Sequence, residues 1–176
     1  MAEFYTIYNN LSISTNICIK HFSLRKITME ENMKDCDMKL LNALYQNIKM
    51  GIESMEELLK ICKSEDLKAE ISKQLSDYNV FAKECEMVAK AEKLDIKDNN
   101  WFDKTMLYSS IKMKTCFDKS EENIAEMLII GSTMGVIDII KVKNATKCDN
   151  NEILEICLKL EDFQERNIQR LKPYLC

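Results

Sequence analysis

The stretch IIGSTMGVIDII (129–140) holds Gly131 and Gly135, two of only three glycines in a chain of 176 residues. They stand four apart inside an apolar run, where each glycine weakens a helix by about 1 kcal/mol relative to alanine. Something has to offset that cost. The residues around them supply the reading, because Ile124, Leu128, Gly131, Gly135 and Val142 keep one helical phase. Gly51 sits in the same way between Ile48 and Met55, inside another apolar stripe. All three glycines are therefore expected on inward helix faces. There a missing side chain allows close packing, or leaves room for a bulky neighbour such as Tyr78. Small residues four apart recur wherever helices touch, so a close helix crossing is expected, with a ligand cavity or a dimer seam as the alternatives.

Composition supports the same class. Pro173 is the single proline, aromatics make up 7%, and Ile, Leu, Met, Lys and Glu are abundant. Sheets need turns, and turns draw on Gly and Pro, so the expected class is all-α. The length suits one domain with a substantial core. A net charge of −4, with lysines and acids interleaved, gives no basic stripe, so nucleic acid is not an expected partner. Eight cysteines, at 18, 36, 62, 85, 116, 148, 157 and 176, contain no C-x-x-C. The N-terminal apolar residues are too interrupted for a signal-peptide core. Reduced thiols in a cytoplasmic protein are the expectation, several of them packing as small apolar residues.

Outward from the glycine run, four principal helices emerge. Leu40, Leu41, Leu44, Ile48, Ile52, Met55, Leu58, Leu59 and Cys62 form the stripe of the first. Ser64 is placed to cap the second, whose stripe is Leu67, Ile71, Leu75, Tyr78, Ala82, Cys85 and Ala89. So short a link makes the two antiparallel. LDIKDNN (94–100) reads as the clearest connecting loop. The third element keeps one phase from Phe102 through Met106, Met113 and Phe117 to Val142. The whole element, about 45 residues at 1.5 Å each, would be about 67 Å long, far longer than its partners. The length favours a split at DKSEE (118–122), with Ser120 as a cap. NATKCDNN (144–151) turns the chain into a last helix, Glu152 to Lys172, with Ile153, Cys157, Leu160, Ile168 and Leu171 inward. Residues 33–176 form the expected bundle. Residues 1–32 read as an irregular arm, in which NLSISTNICIKHF alternates like a strand without a partner strand. That arm is either a loosely docked or disordered segment, or lies upstream of a true start at Met29, Met33 or Met38.

The run IAEMLIIGSTMGVIDIIKV (124–142) has the length of a membrane span but carries Glu126 and Asp138. Each acid near a bilayer centre costs about 2.5–3.5 kcal/mol, so no transmembrane segment is expected. Asp138 either joins a buried network with Gln164 and Tyr78, or lies at the edge of its face and reaches water. Glu126 and Asp138 are the weak candidates for a metal site. A di-iron bundle needs Glu-x-x-His on two helices, and the lone histidine, His21, lies in the arm. No phosphate loop, nucleophile elbow or catalytic dyad is present in the sequence. No catalytic residue and no cofactor are assigned.

Four segments together carry a resemblance: LLNALYQNIKMGIESMEELL (40–59), KDNN (97–100), DKSEENIAEMLIIGSTMGVIDI (118–139) and KLEDFQERNIQRLKPYL (159–175). The chain resembles, over about residues 38–175, an uncharacterised ferritin-like family of clostridial-type Gram-positive bacteria. IAEMLIIGSTMG is its most specific part. In such sequences the position of Asn123 is commonly a histidine, giving His-x-x-Glu with Glu126; here that histidine is missing. The resemblance implies a ferritin-like up-down bundle and supplies no activity. The expected function is a non-enzymatic cytoplasmic bundle acting through protein–protein contact or self-association. The alternatives are a divergent metal-handling protein and a spore-coat-like structural protein.

Overall fold

The computed structural model describes residues 33–96 and 119–175. The chain divides after Asp35, and Cys36–Cys176 forms a unit of its own. The described part is helical throughout. Helix α1 covers residues 33–61, α2 Glu65–Glu92, α3 Glu121–Ala145 and α4 Asn151–Leu171, followed by a 3-10 turn over Lys172–Leu175. No strand occurs among the described residues.

Three helix starts have a side-chain cause. Ser64 accepts a hydrogen bond from the Leu67 N–H (3.3 Å), and Ser120 accepts one from the Asn123 N–H (3.2 Å). Both precede acidic first turns, which complement the helix dipole. The Ser120 cap sets the start of α3 at Glu121, within the DKSEE stretch. Phe102, Met106, Met113 and Phe117 lie outside the described residues, as do the N-terminal arm and most of the LDIKDNN loop. The Asn150 side chain caps α4 by accepting from the N–H groups of Glu152 and Ile153. Lys93 ends α2 in a left-handed conformation (φ 55°), and its N–H bonds back to the Ala89 carbonyl. A lysine, unaided by glycine, makes that turn.

Three contacts fix the topology. The Asn42 side chain reaches the Asp95 carbonyl (3.4 Å), so α2 ends beside the beginning of α1. Ser64 donates to the Glu121 carboxylate (2.7 Å), so α3 begins beside the α1–α2 link. The Asp37 carboxylate accepts from the Asp149 N–H (3.1 Å), so α3 ends near the start of α1. α1 and α2 are thus antiparallel, α3 and α4 are antiparallel, and α2 and α3 run the same way. Ile96 and Lys119 therefore lie at opposite ends of the bundle, about 28 Å apart by the rise of α1 from Asn42 to its end at residue 61.

Leu40, Leu44, Ile48, Leu67, Ile71, Ile124, Ile153 and Leu160 are fully buried and form the core. The sequence pattern placed Leu75 and Ile168 inward as well, but both are half-buried. Gln74 and Asn167, one residue away in each case, take the fully buried positions instead.

Candidate functional site

Midway along the bundle, side chains from all four helices meet in one polar layer. Gln164 of α4 is its hub, 1% exposed. Its Nε2 donates to Asn47 Oδ1 of α1 (2.6 Å) and to the Tyr78 hydroxyl of α2 (3.0 Å). Asn47 Nδ2 in turn donates to the Gly135 carbonyl of α3 (3.1 Å). The Tyr78 hydroxyl also shares a hydrogen bond with the Ser132 hydroxyl, one turn before Gly135. A donor or acceptor buried without a partner costs about 1–3 kcal/mol, so these bonds hold the four helices to one another's level.

Two glycines make the layer possible. A Cβ on Gly135 would stand 2.9 Å from Gln164 Nε2 and 3.0 Å from Asn47 Nδ2, inside the space of the amides that bond there. A Cβ on Gly51 would stand 2.9 Å from both Cε1 and Cζ of the Tyr78 ring. That ring packs edge-on against Phe163, centroids 5.0 Å apart, which holds it over Gly51. Gly131 differs. It is exposed, and no atom of the described residues lies within 4 Å of where its Cβ would be. The expectation of an inward Gly131 is corrected. At 100° per residue it is rotated by about 40° from Gly135, toward the flank that leaves the bundle.

Asp138 is likewise corrected as a member of the layer. Its side chain is 50% exposed, and its nearest cation is Lys141 at 4.0 Å. Ser132, Gly135 and Ile139 centre the inward face of α3. Asp138 lies about 60° from Gly135 on the side away from Ile139, which carries the carboxylate into water. Glu126 is exposed too. Twelve residues separate it from Asp138, about 18 Å along the helix, so the two cannot hold one ion. Among the described residues no group of three or more His, Cys, Asp or Glu converges on a point.

The layer is chemically neutral. Burial pushes the Tyr78 phenol up to about 12, although the hydrogen bonds from Gln164 and Ser132 oppose the shift. No proton moves there near neutral pH. The thiols are similarly quiet. Burial raises Cys85 to about 12. Cys157 also stands at about 12, first through burial and then because it donates to the Glu161 carboxylate (3.3 Å). Glu161 is held by Lys143 of α3 at 2.6 Å in a half-buried ion pair. Thiols this far from ionisation are poor nucleophiles and poor metal ligands.

Asn47, Ser132, Gln74 and Asn167 escaped the sequence reading. Three of them carry a usable signal. Gln74 follows Ile71 by three, Asn167 precedes Leu171 by four, and Ser132 follows Leu128 by four, all on inward phases. Asn47 adjoins the stripe at Ile48. Among the described residues, Gln164 Oε1 in the hub itself, and one turn away Gln74 Oε1 and both side-chain polar atoms of Asn167, are buried without a hydrogen-bond partner.

Compared with known proteins, the chain matches no protein-family model and no curated protein.

Proposed function

We propose that this chain is a ferritin-like bundle whose work is contact with proteins, its own copies included, rather than catalysis. The observation that carries this reading is the outer face of α3, where Met134 (41% exposed), Ile137 (44%) and Ile140 (37%) stand in water within two turns. The helix order supports the ferritin-like part: an antiparallel pair, one long return, then a second antiparallel pair. In di-iron proteins of that order, inward carboxylates and Glu-x-x-His pairs fill the bundle centre. Here amides, a phenol and a hydroxyl fill it, and Gln164 and Asn167 hold the i, i+3 spacing on α4. Neutral amides attract cations weakly, which favours a structural role for the layer. Membership of the clostridial-type ferritin-like family is part of the same proposal.

Helix α3 is long and apolar enough to cross a membrane by length and composition alone. Its polar bonds to α1, α2 and α4, together with Glu126, Asp138 and Lys141, support a place in the bundle instead. Free thiols at Cys36, Cys62, Cys85, Cys148 and Cys157 support a reducing, cytoplasmic setting.

Light scattering on the full chain at micromolar concentration, paired with affinity capture from its own host's extract, tests the reading. An oligomer, or a captured partner whose binding needs the α3 face, is the expected result. A strict monomer that captures nothing overturns it. Elemental analysis of anaerobically purified protein is the companion measurement. Near-stoichiometric iron, manganese or copper would replace the structural reading with a metal-handling one.

A further inference from the structure

The outward face of α3 has a pattern that selects one kind of occupant. Projected at 100° per residue, Ile130, Met134 and Ile137 fall within about 60° of one another, with Thr133 and Ile140 on one side. Their spacing of four, then three, continues to Met127 in one direction and Lys141 in the other, the alternation of a left-handed coiled-coil seam. Met134 and Ile137 of the seam are exposed, as is the flanking Ile140, while Ile130 and Met127 are half-buried and Met127 packs against the core. The two ends of the seam carry opposite charges, Glu126 one turn before Ile130 and Lys141 one turn after Ile137, and both are exposed. Lys141 has only the distant Asp138 carboxylate at 4.0 Å, with both side chains at least half exposed. Gly131 borders this seam with open space where a Cβ would be.

We infer that a second copy of this chain docks here, its α3 antiparallel to the first across a twofold axis between Thr133 and Met134. The inference rests on the proposed contact function and names the partner and the surface. The charge order supplies the polarity. Glu126 and Lys141 lie equally far from that axis, and so do Ile130 and Ile137, and Met127 and Ile140. An antiparallel pair therefore sets Glu126 against the partner's Lys141 twice, and the partner's Ile137 against Ile130 twice. A parallel pair would set Glu126 against the partner's Glu126 and lysine against lysine, and like charges across an interface reject that arrangement. A twofold pairing also closes on itself, so the assembly stops at two copies on this face. The helix-weakening glycine at 131 finds its use at the border of the seam, where a bare backbone lets the neighbouring helix come close.

The test uses the full chain and analytical ultracentrifugation at low ionic strength. The unaltered protein is expected to dimerise in the micromolar range. Ile137→Lys, at an exposed position that leaves the core untouched, should abolish the dimer. Glu126→Lys and Lys141→Glu should each weaken it about tenfold, and the double reversal should restore it to within a few-fold. Restoration is the decisive result, since general damage would add rather than cancel. Circular dichroism of each variant reports that the helices remain. A dimer indifferent to Ile137→Lys means that another surface joins the copies, which overturns this inference and leaves the contact function standing. Singles that weaken the dimer without rescue overturn the antiparallel polarity. A monomer in which a benzophenone side chain at position 137 cross-links to its own chain assigns the face to an intramolecular segment. Sedimentation with phosphatidylcholine–phosphatidylglycerol vesicles that Ile137→Lys abolishes assigns it to lipid. Either of those outcomes overturns the proposal. A monomer that also captures no partner removes the contact function as well.

Discussion

Gly131 and Gly135 stand one turn apart on the same helix and do opposite things. At Gly135 the space of a side chain is taken by the amides of Gln164 and Asn47, so the glycine's cost to the helix is offset by two hydrogen bonds. At Gly131 no atom of the described residues comes within 4 Å of where a Cβ would stand, and none of them offsets the cost. The inner face of α3 is fitted to three other helices. The outer face leaves Met134, Ile137 and Ile140 exposed. A rotation of about 40° separates the two glycines, and identical residue chemistry acquires different meaning from what occupies the adjoining volume.

The sharpest way to break this contrast is Gly135→Ala. The new methyl displaces both amides, and the loss of two hydrogen bonds plus overpacking outweighs the helix gain, for a net cost of about 2 kcal/mol. Urea unfolding followed by circular dichroism reads it. A stabilised variant would remove the account of the layer given above. Next in size is Tyr78→Phe, which strips the hydroxyl from Gln164 and Ser132 and should cost about 1–2 kcal/mol.

The same tyrosine predicts an alkaline limb. Its phenol ionises near 10 when unfolded and at about 12 in the fold. Above pH 10 the unfolded state therefore binds fewer protons than the native one, and stability falls as pH rises through 12. Tyr78→Phe should flatten that part of the pH–stability curve; the buried Cys85 thiol, raised in the same direction, keeps an alkaline loss of its own.

Much of this contrast was legible before any coordinates. The helical stripes located α1, α2 and α4, Ser64 and Ser120 marked the starts of α2 and α3, and the isolated apolar glycines pointed to close packing. Gln164 and Tyr78 stood out as polar residues centred in apolar stripes. What a helical wheel could not give was the true width of the buried arc. Asp138 and Gly131 sit at the margin of an inward face, where 40–60° of rotation decides between core and water. That decision belongs to the neighbouring helices. Asn47 was hidden for a related reason, since it flanks Ile48 and turns inward only because Gln164 offers its amide there.

Two smaller effects sharpen the comparison. Gly131→Ala should stabilise the monomer by about 0.5–1 kcal/mol, because nothing obstructs the methyl and helix propensity alone decides. Thermal melts of Gly131→Ala and Gly135→Ala, run side by side, should move in opposite directions. Asp138→Asn should change stability by under about 0.5 kcal/mol, as expected of a loose surface pair. A loss of several kcal/mol would return Asp138 to the core.

The long return between Ile96 and Lys119 also orders events in time. α1 and α2 are joined by three residues, and α3 and α4 by five, so each hairpin gathers from contacts near in sequence. The polar layer is divided between them: Asn47 and Tyr78 ride on the first hairpin, Ser132, Gly135 and Gln164 on the second. Neither half can complete its bonds until the two hairpins meet, which brings together residues far apart in sequence. The layer then acts as a latch set after the hairpins have formed. Removing it should quicken the opening of the bundle while leaving the rate of its assembly nearly as it was, a division readable in the two arms of a chevron plot.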